Sequence, residues 1–103
     1  MKIFDDITLI YVSYYSDLLF KKNINIIKEF NTIIVDNSNS ADLDAYLAGY
    51  PKIKYVKTST NLGFGSAMNL GVKNADTPYV LLLNPDITFD IESINNLYQG
   101  FIS

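Results

Sequence analysis

Of 103 residues, 49% are apolar, the eight basic residues are all Lys, Cys and His are absent, and the net charge is −3. That composition excludes disulfides, thiolate or imidazole metal sites and a Cys or His catalytic group, and without a basic cluster it argues against a nucleic-acid surface. Any metal must be a hard cation such as Mg²⁺ or Mn²⁺ held by Asp, Glu or Asn oxygens, and the length suits one modest core, so residues 1–103 are read as a single domain.

Residues 1–6 lack a signal-peptide layout, and no apolar run approaches the roughly 18 to 20 residues that a spanning helix needs, which predicts a cytoplasmic location. The segment 7–13, Ile-Thr-Leu-Ile-Tyr-Val-Ser, is β-branched and apolar over a strand's length before Tyr14, Tyr15 and Ser16 interrupt it. A helix follows from Asp17 to about Phe30, with Ser16 or Asp17 as its N-cap. Residues 32–36 form a second buried strand ending in Asp36, followed by the polar string 37–40. Ser40 starts a short helix over 41–49, which Gly49 and Pro51 stop.

Residues 53–57, Ile-Lys-Tyr-Val-Lys, alternate and predict a third strand that is half exposed or near an edge. The loop 60–66 opens into a helix carrying Ala67, Met68, Leu70 and Val72 that frays near Asn74. Five apolar residues, 79–83, predict a fourth parallel strand covered on both faces, delivering Asn84, Pro85 and Asp86 to its carboxyl end. A last helix over 91–101, capped by Asp90 or Thr88, places Ile94, Leu97, Tyr98 and Phe101 at spacings of three and four. Four alternations of strand and helix predict an α/β fold, a Rossmann-like three-layer sandwich with a mostly parallel sheet and right-handed crossovers. The chain stops one helix after its most apolar strand. This predicts a domain truncated at its C-terminus, with an open strand edge and Ile94, Leu97, Tyr98 and Phe101 facing water, and so a homo-oligomer.

Ligands of open α/β sheets gather outside the carboxyl ends of the strands, where Ser13 and Tyr14, Asp36 and Asp86 converge if the strands are neighbours. Asp36 can accept from a pyrimidine N–H, Tyr14 can lie against the base, and Asp86 can hold a divalent ion on a diphosphate. Each residue also has a plain structural use. Asp36 can close an Asx turn with its polar neighbours, Tyr14 can be an ordinary surface or core residue, and Asn84-Pro85-Asp86 can be only a turn. The glycines of 63–65 can serve loop flexibility or close helix packing. Gly63-Phe64-Gly65-Ser66-Ala67-Met68 is not a dinucleotide fingerprint, because it follows the third strand and has Met68 at the third glycine position, and it lacks the Gly-Lys-Ser/Thr end of a P-loop.

Four ordered blocks carry a resemblance. Val12-Ser13-Tyr14-Tyr15-Ser16, Ile34-Val35-Asp36-Asn37-Ser38, Asn61-Leu62-Gly63-Phe64-Gly65 with Ala67-Met68-Asn69-Leu70-Gly71, and Leu82-Leu83-Asn84-Pro85-Asp86 resemble family 2 glycosyltransferases, especially their rhamnosyltransferase-like branch. The resemblance implies the nucleotide-binding N-terminal half of a GT-A fold and a UDP- or dTDP-linked sugar donor. By matched position, Ser13 and Tyr14 would line the base, Asp36 would bind its N3–H, and Asn61, Gly63, Asn69 and Asn84 would border the nucleotide-sugar. Asp86 would take Mg²⁺ or Mn²⁺. Asn84-Pro85-Asp86 stands where the family usually has Asp-x-Asp, Met68 where many members have Arg, and Tyr15 where many have Asn.

The resemblance further implies transfer of a sugar such as rhamnose, with inversion, to a saccharide or lipid-linked acceptor in cell-surface polysaccharide synthesis, the full-length enzyme working at the inner face of the membrane. The general base would then lie beyond Ser103, and residues 1–103 would bind the donor without transferring it. Two other classes remain. A nucleotidyltransferase would show a Gly-rich basic loop after the first strand, where this chain has Tyr14-Tyr15-Ser16. A receiver-like interaction module would need its acidic pair at the end of that strand, whereas Asp5 and Asp6 precede it.

Overall fold

A computed structural model describes residues 2–38 and 40–102, so Met1, Ser103 and Asn39 of the polar string lie outside the described residues. In order the elements are α1 (Lys2–Asp6), β1 (Ile7–Ser13), α2 (Asp17–Ile27), β2 (Asn31–Asp36), α3 (Ala41–Leu47), β3 (Ile53–Lys57), α4 (Phe64–Asn74), β4 (Tyr79–Leu83) and α5 (Ile91–Ile102). All strand pairs are parallel, in the order β3-β2-β1-β4. The chain runs outward from β1 to β3, then crosses back to the other side of β1. Right-handed crossovers must then put α2 and α3 on one face and α4 on the other.

The side chains agree with that layering. On one face Ile7, Leu9 and Tyr11 of β1 pack with Phe20, Ile24 and Ile27 of α2, Leu43 and Leu47 of α3, and Ile94 and Tyr98 of α5. On the other, Ile10 and Val12 join Ile33 and Val35 of β2 beneath Ala67 and Met68 of α4. β1 and β2 read as unbroken apolar runs because both of their faces are covered. The α/β, three-layer, parallel architecture is the one expected. Helix α4 approaches the sheet closely at Gly71, where a Cβ would sit 2.5 Å from Ile10 Cγ2 and 3.4 Å from Val35 Cγ2.

Two expectations need correction. β4 is an edge strand, covered on one face only: Leu83 is buried beside α5, whereas Val80 and Leu82 are 40% and 51% exposed on the face that α4 leaves open. A five-residue apolar run cannot itself say whether a helix lies over its second face. The last helix is also better packed than expected. Ile94 and Tyr98 are buried, with the Tyr98 hydroxyl donating to Asp6, while Leu97 and Phe101 do face water. Next to them β4 and α5 enclose a cavity of about 90 Å³, lined in part by Tyr79, Leu81, Leu97 and Phe101.

Helix α1 lies in a segment for which the sequence suggested no element. It buries Ile3, sets Phe4 edge-on to Phe30 at 4.9 Å, and carries the Lys2–Asp6 ion pair at 3.5 Å. Helix α4 begins at Phe64, inside the expected loop, because Gly63 turns the chain with φ 78° and its carbonyl accepts from Ala67 N–H at 3.1 Å. The remaining caps follow the sequence in part. Ser40 Oγ accepts from Leu43 N–H and Asp90 from Ser93 N–H, but the Ser16 hydroxyl turns back to the Tyr14 carbonyl and leaves α2 without a side-chain cap.

Candidate functional site

The chain reverses direction across the sheet at β1, and the crevice outside the carboxyl ends of β1 and β4 is where such sheets take ligands. An open pocket of about 470 Å³ lies there. The turn after β1 contributes Tyr14 and Ser16, the end of β2 contributes Asn37, the segment leading into α4 contributes Asn61, Gly63 and Phe64, and the turn after β4 contributes Asn84, Pro85 and Asp86. Tyr14 and Phe64 offer exposed aromatic walls, at 60% and 57% exposure, and Asp86 is the sole carboxylate in the lining among the described residues.

Five expected residues, Tyr14, Asn61, Gly63, Asn84 and Asp86, thus meet in one pocket. Three others lie outside its lining. Asn69 is exposed along α4, and Ser13 is fully buried at the end of β1, where its hydroxyl has no hydrogen-bond partner among the described residues. Asp36 is buried as well, and its carboxylate is saturated from within: Oδ1 accepts from Ser38 N–H at 2.8 Å and Ser38 Oγ at 2.5 Å, Oδ2 from Ser40 N–H at 3.2 Å and Tyr55 Oη at 2.5 Å. Burial pushes this carboxyl up, but the hydrogen bonds from Ser38, Tyr55 and Ser40 outweigh it and hold the group below its ordinary value. Burial and the neighbouring Asp36 charge push the Tyr55 phenol up, so Tyr55 stays a donor.

The residue that follows, Asn37, is the one that faces the pocket. Its Oδ1 accepts from Thr58 Oγ1 at 2.9 Å and Leu62 N–H at 3.4 Å, and its Nδ2 donates to the Gly63 carbonyl at 3.5 Å, so it also ties the loop before α4 to β2. Asn61 holds the same loop through Gly63 N–H at 2.9 Å. Asn37 and Phe64 were legible only as a turn former and a loop residue. The signal that could have found Asn37 is strand alternation, which sends Asp36 and its successor to opposite sides.

Among the described residues no cluster of three or more His, Cys, Asp or Glu side chains could hold a metal ion. The pocket's donor set, Asp86 with the amides of Asn84 and Asn61, is all hard oxygen but carries one charge, so it fits a Mg²⁺-like ion only when further oxygens come with a ligand. None of the helices among the described residues is long and apolar enough to cross a membrane.

Comparison with known proteins places this arrangement. Over 101 residues, 91% of this chain, it is 32% identical to the low-salt glycan biosynthesis hexosyltransferase Agl10 of Haloferax volcanii, and over 82 residues, 67% of the chain, it is 33% identical to a teichoic acid poly(glycerol phosphate) polymerase of Staphylococcus epidermidis. The aligned parts are 32% and 11% of those two proteins, so the chain spans about a third or less of their length. The model of the Glycosyl transferase family 2 matches residues 19–103. With the sheet reversal, the pocket and this match over most of its length, the chain belongs to glycosyl transferase family 2.

Proposed function

We propose that these residues form the donor-binding part of a glycosyltransferase that moves a sugar such as rhamnose from a UDP- or dTDP-linked donor to a saccharide or lipid-linked acceptor, with inversion, in cell-surface polysaccharide synthesis. The observation that carries this reading is the pocket at the reversal point of the sheet, with an aromatic wall at Tyr14, amides at Asn37, Asn61 and Asn84, and a carboxylate at Asp86. Tyr14 is exposed enough to receive a base, and Asn37, whose Oδ1 already accepts twice, has a second Nδ2–H to offer in the same pocket. In this reading Asp36 and Ser13 act from below, through the backbone that shapes the pocket floor.

The diphosphate belongs between Asp86 and the N-terminal end of α4 at Gly63 and Phe64, where the helix dipole favours an anion. Mg²⁺ or Mn²⁺, when bound there, would neutralise the departing diphosphate. Asp86 and Asn84 would hold it, with phosphate oxygens completing the set. Among the described residues Asp86 is the carboxylate that lines the pocket, and with Asp86 assigned to the metal this reading gives it no part as the base that deprotonates the acceptor hydroxyl. Two further parts of the reading are a cytoplasmic site of action at the inner membrane face and self-association of the isolated chain through the C-terminal helix or an open strand edge.

Calorimetric titration with UDP, dTDP and ADP, with and without Mg²⁺, tests the reading. We expect weak binding of the two pyrimidine nucleotides, strengthened by Mg²⁺ and lost in Asp86→Ala. Equal affinity for ADP, or none for any of the three, would overturn it.

A further inference from the structure

One chain of hydrogen bonds beside the pocket is not accounted for by ligand contact. Tyr55 Oη, on the outermost strand β3, donates to Asp36 Oδ2; Ser38 Oγ donates to Asp36 Oδ1; and Tyr15 N–H donates to Ser38 Oγ at 2.9 Å. The single hydroxyl proton of Ser38 is committed to the carboxylate, so towards Tyr15 its oxygen can only accept. The bond it accepts holds an unusual residue. Tyr15 has φ 55°, the sole non-glycine residue with positive φ among those described, in a region that a bulky side chain enters only under constraint. Its ring stands edge-on to Tyr14 at 4.8 Å, and Tyr14 is a wall of the pocket.

We infer that Ser38, oriented by Asp36 and Tyr55, is a positioning residue for the nucleoside: it locks the left-handed turn at Tyr15 and thereby sets Tyr14 as the base platform, without touching the ligand. This rests on the donor reading above. The local alternatives make the role specific. Ser16 Oγ, the nearest other hydroxyl on the turn, bonds the Tyr14 carbonyl and not the Tyr15 amide, so Ser38 is the group that fixes φ at residue 15. Among the described residues the end of β2 and the segment after it are also joined to this region by the Asn37 N–H bond to the Ser13 carbonyl, before Tyr14, and by the Ser40 Oγ bond to Asp17, after the turn.

The test compares wild type, Ser38→Ala, Ser38→Thr and Tyr55→Phe by two measurements: calorimetric affinity for uridine diphosphate and for pyrophosphate, each with Mg²⁺, and the exchange rate of the Tyr15 amide by NMR without ligand. Ser38→Ala should weaken uridine diphosphate roughly tenfold, leave pyrophosphate within about twofold, and speed Tyr15 exchange by at least about tenfold. Ser38→Thr should restore all three, and Tyr55→Phe should show the same pattern more weakly, which keeps the test open if Ser38→Ala fails to fold. An equal loss for both ligands, or an unchanged Tyr15 exchange rate in Ser38→Ala, overturns the inference. Wild-type protein that binds no uridine diphosphate removes the donor reading and the nucleoside role with it, and the exchange rate then shows separately whether Ser38 fixes the turn.

Discussion

The sheet has two edges, and they are built in opposite ways. β3 carries Lys54 and Lys57 exposed, ties Lys54 Nζ to Asn74 Oδ1 at 3.0 Å, and is fastened to β2 by the Tyr55–Asp36 bond. β4 has no charge in its five residues and turns Val80 and Leu82 to water. Lysines on an edge discourage further strands, whereas a flat apolar edge invites them. The comparison teaches that β3 carries the charge that guards a boundary, whereas β4 leaves an uncharged, apolar face open.

Cutting the fastening of β3 should have the largest effect. Asp36→Ala strands the donors of Ser38, Ser40 and Tyr55 in a buried site and should cost about 3 kcal/mol in urea denaturation. Because the folded Asp36 carboxyl lies below its ordinary value of 3.8, its contribution is fully present above that pH and is lost as pH falls below it through the folded value. Acid unfolding of wild type should therefore be steeper in that window than that of Asp36→Asn. Equal slopes would show that the carboxylate does not hold the β3 edge.

Next in size is the helix that covers one face of β1 and β2 but stops short of β4. Gly71→Ala drives a methyl into Ile10 and should cost roughly 1 to 3 kcal/mol, read as a shift in denaturation midpoint. A neutral outcome would mean that α4 can slide toward the open half of the sheet. The smallest effect on folding, and the most telling for the comparison, comes from giving β4 the chemistry of β3. Leu82→Lys should change stability by no more than about 0.5 kcal/mol while abolishing the concentration-dependent association expected of wild type in light scattering. A wild type that stays monomeric throughout would show that the β4 edge protects itself.

How much of this was legible follows from where each signal resides. The strands announced themselves because β-branched runs of five to seven residues are a local property, and β3 was placed at an edge by its own alternation. β4 was not, because its cover depends on whether a helix reaches it, and the same apolar run serves the centre of the sheet in β1. Helix α1 is too short to show a period. At the site, strand ends pointed to Tyr14 and Asp86 and the family resemblance to Asn61, Gly63 and Asn84, and the fold brings these five into the lining of one pocket. The choice between Asp36 and Asn37 turned on one step of strand alternation, and Tyr55, in mid-strand, gave no sign that its hydroxyl would reach Asp36.

The pairing of β1 with β4 bears on how the protein acquires its shape. Ile7 lies beside Tyr79, so the middle strand of the sheet receives its second neighbour only after two other strands and three helices have been made. Contacts so distant in sequence form slowly, and a chain leaving the ribosome from its N-terminus meets them only after β2 and β3 are out. During that interval the β1–β2–β3 unit can assemble while the far side of Ile7–Ser13 stands unpaired, one of the most apolar backbone edges in the chain. The nascent protein is most prone to clump just before β4 docks, and the rate of that docking sets how much of it survives.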